Sequence, residues 1–123
     1  MNIALWIIQV LLALTFLATG TTKLIRPRLA LAGQMAWVED FSDAQVKGIG
    51  ALEVLGAIGL IGPALLRVAT FLTPLAAVGL ILDMAGAALT HIRRGESQMV
   101  VVNAFLAILA ALVAVGRFGP YHF

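Results

Sequence analysis

Three residues carry polar groups into long apolar runs: Glu53, Asp83 and Asn103. Glu53 stands near the middle of VKGIGALEVLGAIGLIGPALL, residues 46–66. A charged group at the centre of an apolar membrane helix costs about 2.5–3.5 kcal/mol on insertion scales, and ionisable residues held there mark functional sites. Two carboxyls and an amide suit proton exchange, or hydrogen bonds to the polar end of an otherwise apolar ligand. As ligands for a hard cation they are too few, and no metal is expected. Cysteine is absent, which excludes disulfides, thiolate metal sites and thiol redox chemistry.

The elements that hold these groups follow from composition. Of 123 residues, 62% are hydrophobic and only 11% charged. That balance fits a single multi-spanning membrane domain rather than a water-facing one. Four apolar runs, at about 3–20, 46–66, 68–91 and 98–116, match the roughly 20 residues that cross a bilayer as a helix. Backbone groups in lipid must be satisfied within the segment, and continuous apolar runs rule out a β-barrel. The fold class is therefore an all-α membrane protein, a four-transmembrane-helix bundle. Residues 28–41 are too short and mixed to span; Trp37 beside Glu39 and Asp40 points to a short interfacial helix after the first span. Ser42 reads as the N-cap of the second span. The first span has no basic leader or cleavage site and reads as a retained helix.

Net charge is +2, but the basic residues sit in short loops, a pattern that orients a membrane protein and gives no reason to expect a nucleic-acid partner. Lys23, Arg26, Arg28, Lys47, Arg93 and Arg94 flank the loops after spans one and three; only Arg67 and Arg117 lie on the other side. This bias places those two loops in the cytoplasm and both termini outside.

Small and polar residues recur on each span at alternating steps of three and four, hence on one face. The stripes are Gln9, Ala13, Phe16, Gly20; Glu53, Gly56, Leu60, Ala64; Gly79, Asp83, Gly86, Thr90; and Asn103, Ala107, Ala110, Ala114. Small residues let helices approach, and polar ones turn away from lipid. At about 1.5 Å per residue, Glu53, Asp83 and Asn103 fall in one layer roughly 5 Å to the cytoplasmic side of the midplane. In span one that layer holds Thr15 and Phe16, with Thr19 a turn beyond; these three are candidate ligand contacts.

Lys23, Lys47 and His91 stand at span ends, more than about 10 Å along the axis from the layer, so no cation is expected to pair with either carboxyl. Two unpaired carboxyls should not both ionise there, and at least one is expected to hold its proton, the pair titrating as a unit. Glu53 and Asp83 thus form a candidate acid/base pair. Their amide variants are expected to leave the bundle folded. The plainer alternative is interhelical hydrogen-bond glue, worth about 0.6–2 kcal/mol per contact. His91 reads as interfacial, and Met84 and Met99 as packing residues.

Two stretches resemble a known family. Residues 16–24, FLATGTTKL, are similar to the Gly-x-x-Lys-Leu end of the first helix in the DoxX-like membrane proteins, and residues 50–60, GALEVLGAIGL, to their second-helix pattern Gly-x-x-Glu-x-x-Gly-Ala-x-Gly-Leu. The resemblance extends over nearly the whole chain and implies a four-helix bundle in the cytoplasmic membrane of a bacterium. It also implies an association with quinone-linked redox chemistry or with a membrane oxidoreductase partner. The cysteine motif of thiol-handling relatives has no counterpart here. The leading expectation is a protein that binds a small lipophilic molecule, a quinone first, between its helices against Glu53, Asp83 and Asn103. Two other readings stay open: a membrane-embedded acid/base enzyme of isomerase or epoxide-opening type acting on an apolar substrate, and a non-catalytic assembly subunit. Gly48, Gly59 and Gly62 further suggest a homo-oligomer contact.

Overall fold

The computed structural model of the chain describes residues 2–25 and 42–121. It contains four helices: α1 (Asn2–Ile25), α2 (Asp43–Leu66), α3 (Leu72–Arg93) and α4 (Ser97–Phe118). All are long and apolar enough to cross a membrane, and no strand occurs among the described residues. The interfacial helix expected at 28–41 lies outside the described residues. Outward-facing side chains are apolar: Leu55, Val101, Ile108 and Val115 are 61–70% exposed, as lipid-facing positions require.

Local chemistry sets the helix ends. Ser42 caps α2 by accepting from Gln45 N, while the Gln45 side chain accepts from Ser42 N, a reciprocal capping box. At its other end Arg67 adopts a left-handed conformation (φ 55°), and its N–H bonds the Pro63 carbonyl. Ala69 follows at φ 48°. These two residues break the apolar run expected to begin span three at 68, and α3 starts at Leu72 instead. Pro74 then falls in the first turn, where its missing N–H has no helical partner to lose. Pro63 lies inside α2 and cannot bond the Gly59 carbonyl one turn earlier. Thr73 of α3 takes up that acceptor, its Oγ1 donating to Gly59 O at 3.1 Å. A helix defect thereby becomes an interhelical contact.

The helices form a ring in which α1 pairs most extensively with α2, and α3 with α4. The two hairpins meet tightly at the end that holds the chain termini. There Gly59 faces Ala76, Gly56 faces Leu80, and Gly116 receives Leu5. Gln9 Nε2 donates to Leu60 O at 2.9 Å. Arg117 donates through Nε to Gln9 Oε1 at 2.7 Å, and through Nη1 to Asn2 Oδ1 and the Tyr121 carbonyl; it also lies 5.7 Å from the Trp6 ring centroid. The core above this end is built from Leu12, Phe16, Leu60, Leu80, Met84 and Val113 with small alanines between them.

The stripes of α1, α2 and α4 face this core: Gln9, Phe16, Gly20, Glu53, Leu60, Asn103, Ala110 and Ala114 are buried. The stripe assigned to α3 does not. Its packed face is Thr73, Ala77, Leu80, Met84 and His91, whereas Gly79, Asp83 and Thr90 are part-exposed and Gly86 is exposed. Asp83, Gly86 and Thr90 border a cavity, and the larger apolar side chains of α3 supply the contact.

Candidate functional site

The Gly59–Ala76, Gly56–Leu80 and Gly116–Leu5 contacts between the hairpins lie toward the end that holds the termini, and the cavity lies toward the other end. The α1–α2 hairpin itself stays closed. A methyl group on Gly20 would lie 2.7 Å from Gly50 O and 2.9 Å from Val54 N, so the backbones touch. Between the hairpins lies a partly open cavity of about 600 Å³, within the range that encloses small ligands. Its walls are largely apolar, including Phe16, Ile49, Leu82, Met99, Val102 and Leu106.

All six residues singled out in the sequence border this cavity: Glu53, Asp83, Asn103, Thr15, Phe16 and Thr19. Their arrangement differs from expectation in one decisive respect. Lys23 Nζ lies 2.6 Å from Glu53 Oε1, both side chains being at least nine-tenths buried. The expected absence of any cation near the carboxyls is therefore wrong. Axial rise measures the distance between backbones, but side chains lean toward the N-terminus of their own helix. Lys23, near the C-terminal end of α1, leans inward; Glu53, in the antiparallel α2, leans outward toward it. The Gly20–Gly50 contact brings the two helices close enough for the heads to meet. Thr19 Oγ1 adds a second donor to Glu53 Oε1 at 3.3 Å, and Lys47 Nζ donates to the Lys23 carbonyl at 2.9 Å.

Asp83 approaches from α3, and its carboxyl interacts with that of Glu53. Lys23 thus neutralises one of two adjacent carboxyls. Asp83 Oδ2 and Asn103 Nδ2 are buried and have no hydrogen-bond partner among the described residues. Thr15 is bonded within its own helix, Oγ1 to Leu11 O at 2.8 Å, and borders the cavity from an exposed position. Phe16 is 1% exposed and forms part of the cavity's inner wall.

Two cavity residues were not anticipated as site groups. Lys23 continues the α1 stripe, three residues beyond Gly20, which is the signal that points it into the bundle. His91, in the last turn of α3, is buried in the bundle, and its Nδ1 lies 2.7 Å from Glu96 Oε1 across the α3–α4 turn. It stands about two turns from Asp83 along α3, and both border the cavity.

No curated protein and no solved structure matches the chain. The DoxX-like family does match, over residues 7–113, which takes in most of α1 and α4, all of α2 and α3, and every residue that lines the cavity. The chain is an integral membrane protein of the DoxX-like family.

Proposed function

We propose that the chain binds a small lipophilic molecule in the cleft between its two helical hairpins, with the ligand's polar head at Asp83 and Asn103 and its apolar part along Leu82, Met99, Val102 and Leu106. The observation that carries this reading is a cavity of about 600 Å³ with mostly apolar walls, lined at one place by Asp83 and Asn103, each of which holds a buried polar atom with no hydrogen-bond partner among the described residues. Leaving a buried polar atom unpaired costs about 1–3 kcal/mol, a cost that a ligand supplying the missing partners removes. A quinone is the first ligand to try, since its ring carries polar oxygens on a lipophilic body and its redox chemistry exchanges protons. Lys23 and Thr19 hold Glu53 in place, and Asp83 is the carboxyl left to exchange a proton with the ligand. The acid/base-enzyme reading uses the same two carboxyls, but with Glu53 Oε1 engaged by two donors the geometry favours binding.

Gly86 borders the cleft, and a Cβ built there meets no atom within 4 Å. Gly86→Leu is therefore expected to fill the cavity without disturbing the helices. Native mass spectrometry of protein purified in mild detergent should show a bound small molecule in the wild type and none in Gly86→Leu at equal thermal stability. Identical small-molecule content in both proteins would count against the cleft as the binding site.

We further propose that the cleft end faces the cytoplasm, from the distribution of basic residues. Val68, in the turn before α3, and Ser97, the first residue of α4, lie at opposite ends of α3 and are sites for single cysteines. An impermeant thiol reagent applied to intact cells should label the first and spare the second; labelling of Ser97→Cys alone would reverse the orientation.

A further inference from the structure

The α3–α4 turn holds a buried imidazole that the ligand site does not use. His91 is 5% exposed, and it borders the cleft. Its Nδ1 lies 2.7 Å from Glu96 Oε1. A carboxylate oxygen only accepts, so in the neutral ring Nδ1 carries the proton and Nε2 is left as an acceptor. Nε2 has no hydrogen-bond partner among the described residues, and it is not sealed off as Asp83 Oδ2 and Asn103 Nδ2 are. Glu96 lies on the Nδ1 side of the ring. Its side chain is 32% exposed and borders a separate hollow outside the cleft with Gly95, Ser97 and Gln98. The backbone fixes the pairing: Gly95, at φ 71°, turns the chain back, and Glu96 N donates to His91 O at 2.9 Å. Arg94 Nε lies 3.6 Å from the same Glu96 oxygen.

We infer that His91 and Glu96 form a proton port, which carries protons between the cleft and the water beyond the α3–α4 turn. Resting on Asp83 as the cleft's proton-exchanging carboxyl, the port adds the route by which that proton comes and goes. A route is needed because lipid closes the cleft sideways: Leu82 and Val102, which border it, are 68% and 46% exposed. Among the described cations that border the cleft, Lys23 is bonded to Glu53, and the guanidinium of Arg93 does not give up a proton. An imidazole can bind a proton at one nitrogen and release one from the other. A proton from the cleft binds Nε2, Nδ1 passes its own proton to Glu96 Oε1, and Glu96 releases it to water. Transfer in the opposite direction restores the first tautomer, so outward and inward protons alternate. About two turns of α3 separate His91 from Asp83. The cavity of about 600 Å³ spans that interval, with Thr19 and Thr90 on its walls, and is roomy beside the roughly 30 Å³ that one water takes.

The test follows the cleft carboxyl after a sudden acidification. Protons are photoreleased from a caged compound beside the whole chain in nanodiscs, and the carboxyl C=O band is followed by time-resolved infrared spectroscopy. Loss of the band in Asp83→Asn identifies it. His91→Gln can still donate to Glu96 but cannot relay a proton. It should slow protonation of Asp83 by at least about tenfold, the low side of what a positioned acid–base group supplies, and reach the same final amplitude per folded protein. Glu96→Gln should slow it in the same direction. His91→Ala should be equally slow, and imidazole added to the buffer should restore its rate, which a purely structural role for His91 would not allow. Rates, unlike amplitudes, do not depend on the folded fraction. Equal rates in the wild type and His91→Gln, or a slow His91→Ala that imidazole does not speed, would overturn the port while leaving the cleft a ligand site. Absence of any Asp83-dependent band from the wild type would overturn Asp83 as the exchanging group and the port with it.

Discussion

Glu53→Gln is expected to destabilise the bundle by about 3–5 kcal/mol, the usual cost of removing one partner from a buried ion pair. The substitution is near-isosteric, and without a cation in reach it should be harmless. The 2.6 Å contact with Lys23 reverses that expectation. Once Glu53 is neutral, the Lys23 ammonium keeps its desolvation cost and loses its compensating charge. Lys23→Met alone should also be costly, because it strands Glu53 beside Asp83. The double variant Lys23→Met, Glu53→Gln should recover most of the loss, giving a strongly non-additive cycle. Unfolding midpoints in a graded detergent series measure all four proteins. Additive losses would mean that the two groups do not depend on each other.

The second large effect is steric. Gly20→Ala places a methyl group 2.7 Å from Gly50 O and 2.9 Å from Val54 N, and backbone atoms cannot rotate aside as a side chain would. The α1–α2 hairpin must open, at a cost near the upper end of the 1–3 kcal/mol typical of overpacking, about 3 kcal/mol, and more for Gly20→Val. Opening this contact also draws Lys23 away from Glu53, so the charged site should loosen with the fold. Gly79→Ala is the control. Its methyl meets nothing within 4 Å, and better helix propensity should stabilise α3 by up to about 1 kcal/mol. Similar melting behaviour of the two alanine variants would show that α1 and α2 do not touch at Gly20.

These contrasts mark what the sequence discloses. Apolar runs and the bilayer's thickness suffice to give four helices, because lipid leaves the backbone no other solution. The Ser42 cap is equally local and equally legible. The stripes place Glu53 and Asn103 on buried faces, since polar groups on single helices must turn inward. What the one-dimensional reading misses is direction and reach. Lys23 and Glu53 lean toward each other only because their helices are antiparallel and close-packed. The role of α3 is also hidden. Its small and polar residues resemble a packing stripe, and only the clamp at the opposite end of the bundle shows why they border a cavity instead. Thr73 likewise has no signal of its own; its partner is a carbonyl freed by Pro63 on another helix.

The central claim is that a lipophilic ligand occupies the cleft with its head at Asp83 and Asn103. Photolabelling with a probe that joins a benzoquinol head to a diazirine-bearing alkyl tail tests it most directly, with the modified residues mapped by mass spectrometry in the wild type and in Gly86→Leu. The predicted result is adducts at Leu82, Met99, Val102 or Leu106, suppressed by excess unlabelled quinol and absent from Gly86→Leu. Adducts confined to outward-facing positions such as Leu55 and Ile108, with the same yield in both proteins, would contradict it.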